Sequence, residues 1–187
     1  KPYNPNPGNQ GDPVYKEWSM FTNFLNRAVR TLFYSFQKYN NGDQTVPQGK
    51  VSEEILQKCE QQIVSYENQM YKFEFADVMI GLEEFFKYIN KTLSERMSKL
   101  QKDFDEAEFK QTIIDGLHLI KTATALSHPI APSATENVRE YLGLTSEQLY
   151  SWDNIFKQMG ELVGNAHALK FLEPKIDFFT RPAWQYN

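Results

Sequence analysis

The sequence predicts an all-α fold, a bundle of about four long helices followed by a short fifth and an irregular C-terminal tail. Three observations predict it. Apolar residues recur at three- and four-residue steps along most of the chain. Cap-forming residues and glycine or proline stops punctuate those runs. Alternation of apolar and polar residues never lasts more than a few positions, and no internal repeat is visible. The 187 residues are enough for one sizeable core and at most two small domains.

Residues 1–13 hold four prolines and two glycines among asparagines, the composition of an extended linker. The opening Lys1-Pro2-Tyr3 reads as the start of a piece of something longer. From Val14 a first helix is expected, with Trp18, Phe21, Leu25, Val29, Leu32, Phe33 and Phe36 on its buried face. Asn40-Asn41-Gly42-Asp43 ends it, because Asn and Gly tolerate the left-handed conformation at a helix end. A second helix is expected from Ser52 to Tyr71, with a narrow stripe of Ile55, Cys59, Ile63, Tyr66 and Met70. A third begins at Phe75 and runs into the nineties, lined by Phe75, Met79, Leu82, Phe86, Ile89 and Leu93. The charged stretch from Glu95 to Glu108 is expected to contain a turn. Asp105 and Glu108 then fit a capping box for a fourth helix carrying Phe109, Ile113, Leu117, Ile120, Ala123 and Leu126, which His128-Pro129 stops. Ser133 with Glu136 fits a second capping box, opening a short helix that Gly143 closes. Thr145 with Gln148 caps one more turn, and Trp152, Ile155 and Phe156 are expected apolar anchors. Residues 168–174 read as an extended segment closing on the bundle. The expected organisation is a linker over 1–13, a bundle over 14–177 and a tail over 178–187.

Composition narrows the function classes. Hydrophobic residues at 41% and charged residues at 24% are ordinary for a globular chain, and no apolar run approaches a membrane span. The single cysteine, Cys59, allows neither a disulfide framework nor a thiolate metal site and fits a reducing cytoplasm. A net charge of −4 argues against sequence-independent nucleic-acid binding, though a local basic strip is present. Lys16, Arg27, Arg30 and Lys38 lie on the first helix, with no acid between Trp18 and Tyr39. The histidines His118, His128 and His167 lack metal-ligand spacing, and no catalytic residue or phosphate-binding loop is expected. His118 reads as a packing or surface residue and His128 as part of a helix end. Arg96-Met97-Ser98-Lys99-Leu100 is similar to a "KMSKS" nucleotide loop, but without a partner motif it reads as the end of a basic helix. Asp103, Asp105, Glu106 and Glu108 lack the glycine and spacing of a calcium loop.

Three stretches together resemble the C-terminal helical anticodon-binding domain of methionyl-tRNA synthetase, a class I aminoacyl-tRNA synthetase. Thr22-Asn23-Phe24-Leu25-Asn26-Arg27-Ala28-Val29 is similar to the family's N-x-x-x-R pattern, including a second Asn before the Arg. Phe86-Lys87-Tyr88-Ile89-Asn90-Lys91-Thr92 resembles "NKYIDET", expected at the end of the third helix. Leu126 to Val138 resembles "hP.mP...e.i", and Leu172 to Asp177 resembles "lFPRID". The resemblance implies the anticodon-binding bundle of class I synthetases and a tRNA for methionine as partner. It implies an absent N-terminal catalytic domain, which would use ATP with magnesium, and a cytoplasmic enzyme, a methionine–tRNA ligase. No cofactor, membrane or DNA is implied for this chain. The family's readers map onto Asn23 and Arg27, which are four residues apart and share one helix face. A guanidinium can stack on a splayed base and an amide can match its edge, the chemistry by which single-stranded RNA loops are read. Arg30, Arg96 and Lys99 complete the candidate RNA-binding set, Lys99 as a phosphate contact. Many members carry Pro-Trp after "YIDET"; here Ser94-Glu95 stands there, and Arg96 offers a planar surface instead. The rival readings are the anticodon domain of a synthetase for valine, isoleucine, leucine or cysteine, or a helical interaction module without RNA binding.

Overall fold

The computed structural model describes residues 13–180; the expected linker, apart from Pro13, and the tail beyond Thr180 lie outside the described residues. Among them the chain forms helices α1 (Pro13–Met20), α2 (Asn26–Tyr39), α3 (Glu53–Tyr71), α4 (Phe75–Lys102), α5 (Glu106–Ser127), α6 (Pro132–Leu142), α7 (Ser146–Tyr150) and α8 (Met159–Leu162). A π-turn, Phe21–Leu25, joins α1 to α2, and a 3-10 turn, Trp152–Asn154, precedes α8. The all-α expectation holds: among the described residues no strand forms, and the one β-bridge is an isolated antiparallel one between Thr45 and Ala168.

The helix α5 lies at the centre and contacts α2, α3, α4, α6, α7 and α8. Its expected stripe is buried, and so are Thr112, Asp115, His118, Lys121, Thr122, Thr124 and Ser127. A helix enclosed on all sides normally carries apolar residues all round. Several of these polar groups find partners within the fold. Thr124 Oγ1 donates to Ile120 O at 2.7 Å, and Ser127 Oγ to Ala123 O at 2.6 Å. Lys121 Nζ donates to Ile155 O at 2.8 Å and binds the 3-10 turn to the core; burial lowers its pKa to about 8. Gly116 allows α2 and α4 to approach α5 closely. A Cβ there would stand 2.6 Å from Leu32 Cδ1 and 3.0 Å from Leu93 Cδ2.

The helix ends follow the expected chemistry with informative differences. Asn41 and Gly42 take positive φ, 51° and 82°, and close α2. Gly143, at φ 68°, closes α6. The Thr145–Gln148 capping box is complete. At Asp105 only half a box forms: its carboxylate accepts from Glu108 N at 2.6 Å, while the Glu108 side chain turns to Lys99. The Ser133–Glu136 capping box does not form; Ala131 is the N-cap and no side chain caps α6. Pro132 occupies the first turn of α6, where its fixed φ and missing N–H suit a helix start, and Glu136 pairs with Arg139. The expected anchors Trp152 and Phe156 are also exposed; only Ile155 is buried. Phe75 is exposed at the start of α4. The third helix runs further than "into the nineties". With no proline just after Thr92, α4 runs on to Lys102, 28 residues in all, and the turn falls at 103–105. The Phe86–Thr92 motif therefore sits mid-helix.

Leu117 is fully buried on the α5 face toward the core. Leu117→Ala should cost roughly 2–5 kcal/mol; a loss under about 0.5 kcal/mol in urea denaturation would contradict that packing.

His118 is buried, and its Nδ1 has no hydrogen-bond partner. Burial, aided by the charge of Lys121 and opposed by Asp115, pulls its pKa from 6.5 down to about 3. An unfolded chain therefore takes up a proton below pH 6.5 that the fold refuses until about pH 3, so stability drops as the pH is lowered through that window. The slope from this residue should approach about 1.4 kcal/mol per pH unit. Urea denaturation at pH 7, 5 and 4 should show a shallower acid loss for His118→Leu than for the wild type. Equal slopes would mean that the ring charges inside the fold.

Candidate nucleic-acid interface

The first helix presents its polar face around the π-turn. In the π-turn the Asn26 N–H reaches back to Phe21 O, five residues earlier, instead of four. Phe21 is fully buried, with rings of Trp18, Phe86 and Phe179 at 5.1, 5.3 and 5.5 Å. Leu25 is fully buried too. Between them Asn23 points outward and is exposed, as is Arg27 one turn on. Both line an open groove of about 600 Å³ with Asn26, Arg30, Thr31, Tyr34 and Ser35. Among the described residues, no hydrogen bond or ion pair engages the Asn23 amide or the Arg27 guanidinium. Lys87 of α4 lies 5.5 Å from the Phe24 ring, and brings a cation beside this face.

The other candidate residues are placed differently. Arg30 lines the same groove, but its Nη1 donates to Asp177 at 2.6 Å. Arg96 and Lys99 lie beyond Lys87 on α4 by about 13 and 18 Å of helix rise. Arg96 Nη1 donates at 2.6 Å to Asp115, whose side chain is 1% exposed. The same carboxylate accepts from Ser52 N at 2.8 Å, Ser52 Oγ at 2.7 Å and Gln111 Nε2 at 2.9 Å. It therefore sits at the N-terminus of α3, where exposed N–H groups favour an anion, and ties α3, α4 and α5 together. Lys99 pairs with Glu108 at 2.7 Å, which raises its pKa. The structure thus brings Asn23, Arg27 and Arg30 together and leaves Arg96 and Lys99 in a separate patch. Ser94 and Glu95 are exposed on α4, with Glu95 3.9 Å from Lys91.

The sequence reading missed Asn26 and Asp177. Asn26 is 1% exposed; its Nδ2 donates to Asp177 at 2.8 Å, and its Oδ1 accepts from the Phe178 and Phe179 N–H groups at 2.9 and 3.4 Å. Both residues lie inside stretches already singled out, but only the fold shows that those stretches meet. His128 caps α5; its ring stacks on Tyr150 at 3.8 Å and its Nδ1 lies 2.9 Å from Thr135 Oγ1. Cys59 is buried, its thiol pushed up to about 11 by desolvation. Among the described residues no group of three or more His, Cys, Asp and Glu side chains could hold a metal, and no helix is long and apolar enough to cross a membrane.

Comparison with known proteins bears on the fold and the family. Residues 43–180 match the family described as the anticodon binding domain of methionyl tRNA ligase. A methionine–tRNA ligase of Bacillus subtilis is 28% identical over 138 residues, covering 71% of this chain and 20% of the relative. One from Saccharolobus islandicus is 25% identical over 168 residues, covering 83% of this chain and 28% of the relative. The chain therefore spans less than a third of the length of these relatives. The free methionyl-tRNA synthetase of Mycobacterium tuberculosis shares the fold, with a TM-score of 0.69 and 16% identity over 91% of this chain and 34% of that one. Its methionyl-adenylate-bound form gives 0.59 and 17% identity over 86% and 31%. A helical bundle of the class I anticodon-binding type is thus established for this chain. It belongs to the family of anticodon-binding domains of methionyl-tRNA ligases.

The buried carboxylate supplies a test of the frame that holds the site. Asp115→Ala leaves Arg96 and the Ser52 N–H without their partner and should cost roughly 3–5 kcal/mol. A change below about 1 kcal/mol in chemical denaturation would show that water replaces the carboxylate.

Proposed function

We propose that this chain binds the anticodon stem and loop of a tRNA for methionine, with Asn23 and Arg27 as its base-reading residues. The observation that carries this is the pairing of an amide and a guanidinium, both unengaged, on one rim of an open polar groove in a domain of this family. Arg30 forms the groove's wall, and Lys87 stands where a backbone phosphate could approach. Arg96 and Lys99, held by Asp115 and Glu108, serve binding only if RNA displaces those acids. The stacking platform that the missing Pro-Trp would provide falls to Arg27, the exposed cation of the groove. In the same proposal the whole protein is a cytoplasmic methionine–tRNA ligase. A separate catalytic domain there uses ATP and magnesium to form methionyl-adenylate, and this domain selects RNA rather than DNA.

One observation favours a second reading, a protein-docking module without RNA. Tyr71, Phe73 and Trp152 are exposed around a groove of about 430 Å³ that Tyr66, Met70 and Pro129 also line. The two readings separate in one measurement. Arg27→Ala should weaken binding of the native methionine anticodon stem-loop by on the order of ten- to a hundred-fold, the loss of one base-edge contact of about 1–3 kcal/mol. A stem-loop with a changed anticodon should lose much less. If the ratio between the two RNAs is the same for wild type and variant, Arg27 does not read the anticodon, and the docking reading gains.

A further inference from the structure

The π-turn that displays Asn23 is gripped from outside by a segment more than 140 residues away in sequence. Asp177 Oδ1 accepts from Asn26 Nδ2 at 2.8 Å and from Arg30 Nη1 at 2.6 Å. Asn26 Oδ1 accepts from the backbone of Phe178 and Phe179. Phe179 stacks on Phe21 with centroids 5.5 Å apart, and Trp18 Nε1 donates to Thr180 O at 3.0 Å. The strap therefore touches the helix before, within and after the π-turn. Further back, Gln37 exchanges two hydrogen bonds with Leu172, and Tyr34 donates to Glu173 O.

A π-turn is rare because its hydrogen-bond geometry is poorer than that of an α-helix, and it persists where the surroundings impose it. A relaxed α-helix would remove one residue from the turn and rotate one flank against the other by about 100°. Residues four apart share a face in a regular α-helix too, so Asn23 and Arg27 would stay neighbours, but the angle between the amide and the guanidinium would change. We propose that the segment Asp177–Thr180 sets this turn, and that Asp177 is a positioning residue for anticodon discrimination. This rests on the reading of Asn23 and Arg27 given above. The arrangement has a second effect. Asp177 neutralises Arg30, so Arg27 is the uncompensated cation of the groove among the described residues. Binding thus depends on one aimed guanidinium and one aimed amide instead of on diffuse positive charge.

The test is fluorescence anisotropy of the 187-residue chain with the native anticodon stem-loop and with one of changed anticodon, circular dichroism confirming helicity. Asp177→Ala should lower the affinity ratio between the two RNAs about fivefold or more, the loss of roughly one hydrogen bond's worth of aim. The changed loop itself should bind as well as before or slightly tighter, because Arg30 is released. Asp177→Asn keeps the accepting oxygen without the charge and should restore most of the ratio. In an Asn23→Ala background, Asp177→Ala should leave the ratio where Asn23→Ala alone puts it. Trp18→Phe keeps the ring packing but loses the bond to Thr180, so it loosens the strap from its other end and should lower the ratio by a smaller factor. Equal weakening of both RNAs by Asp177→Ala, or a loss of ratio that persists without the Asn23 amide, would overturn the proposal. A wild-type chain that binds both RNAs equally would instead sink the anticodon reading on which it rests.

Discussion

Asp115 is the interaction on which the bundle's arrangement depends. A carboxylate on a helix enclosed from every side is costly unless each oxygen is engaged, and here four donors from Arg96, Ser52 and Gln111 engage them. Those donors come from α4, from the N-terminus of α3 and from α5 itself. Apolar stripes alone would let these helices slide by a turn at modest cost, since Leu, Ile and Phe pack in many registers. A buried ion pair with capping hydrogen bonds has one geometry. Lys121 does the same at the other side of α5, where its ammonium holds the carbonyl end of the 3-10 turn.

The same physical logic divides the two asparagines of the first helix. An amide has two donors and an acceptor with two lone pairs, so it can join a side chain and a backbone at once. Asn26 is buried and uses that capacity internally, against Asp177, Phe178 and Phe179. Asn23 has the same capacity and turns it outward. Identical chemistry thus serves as glue at one position and is available for recognition three residues earlier. The difference lies in what each meets: Asp177, Phe178 and Phe179 bond Asn26, and no described residue hydrogen-bonds the Asn23 amide.

Much of this fold could be read in the residues. The stripe from Phe21 to Phe36 is buried, as is the one from Ile55 to Tyr66, because period and burial are the same property of an amphipathic helix. Gly143, Asn41 and the Thr145–Gln148 box mark helix ends because their conformations are dictated locally. What was not legible is non-local. Nothing near Asp115 signals that a carboxylate will be enclosed, and nothing near Lys121 signals the carbonyls of Asn154 and Ile155. Trp152 and Phe156 looked like anchors because size and apolarity predict burial only on average; at the surface of a short turn there is nothing to cover them. The Ser133–Glu136 pattern was outcompeted by Pro132, which starts a helix without a side-chain cap. At the candidate site, Asn23 and Arg27 were visible by their spacing and family pattern, whereas the contact of Asp177 with Asn26 joins stretches 151 residues apart.

Gly116 has a mechanical meaning. Leu32 of α2 and Leu93 of α4 both rest against the one position of α5 that has no side chain. That contact is a fulcrum: two long helices lean on the same point, and their far ends act as lever arms. Asn23 lies nine residues from Leu32, an arm of about 13 Å. A methyl group at the fulcrum would press on the tips of two leucine side chains; where those cannot turn aside the helices must tilt, and a tilt grows with distance toward the rim where Asn23 and Arg27 stand.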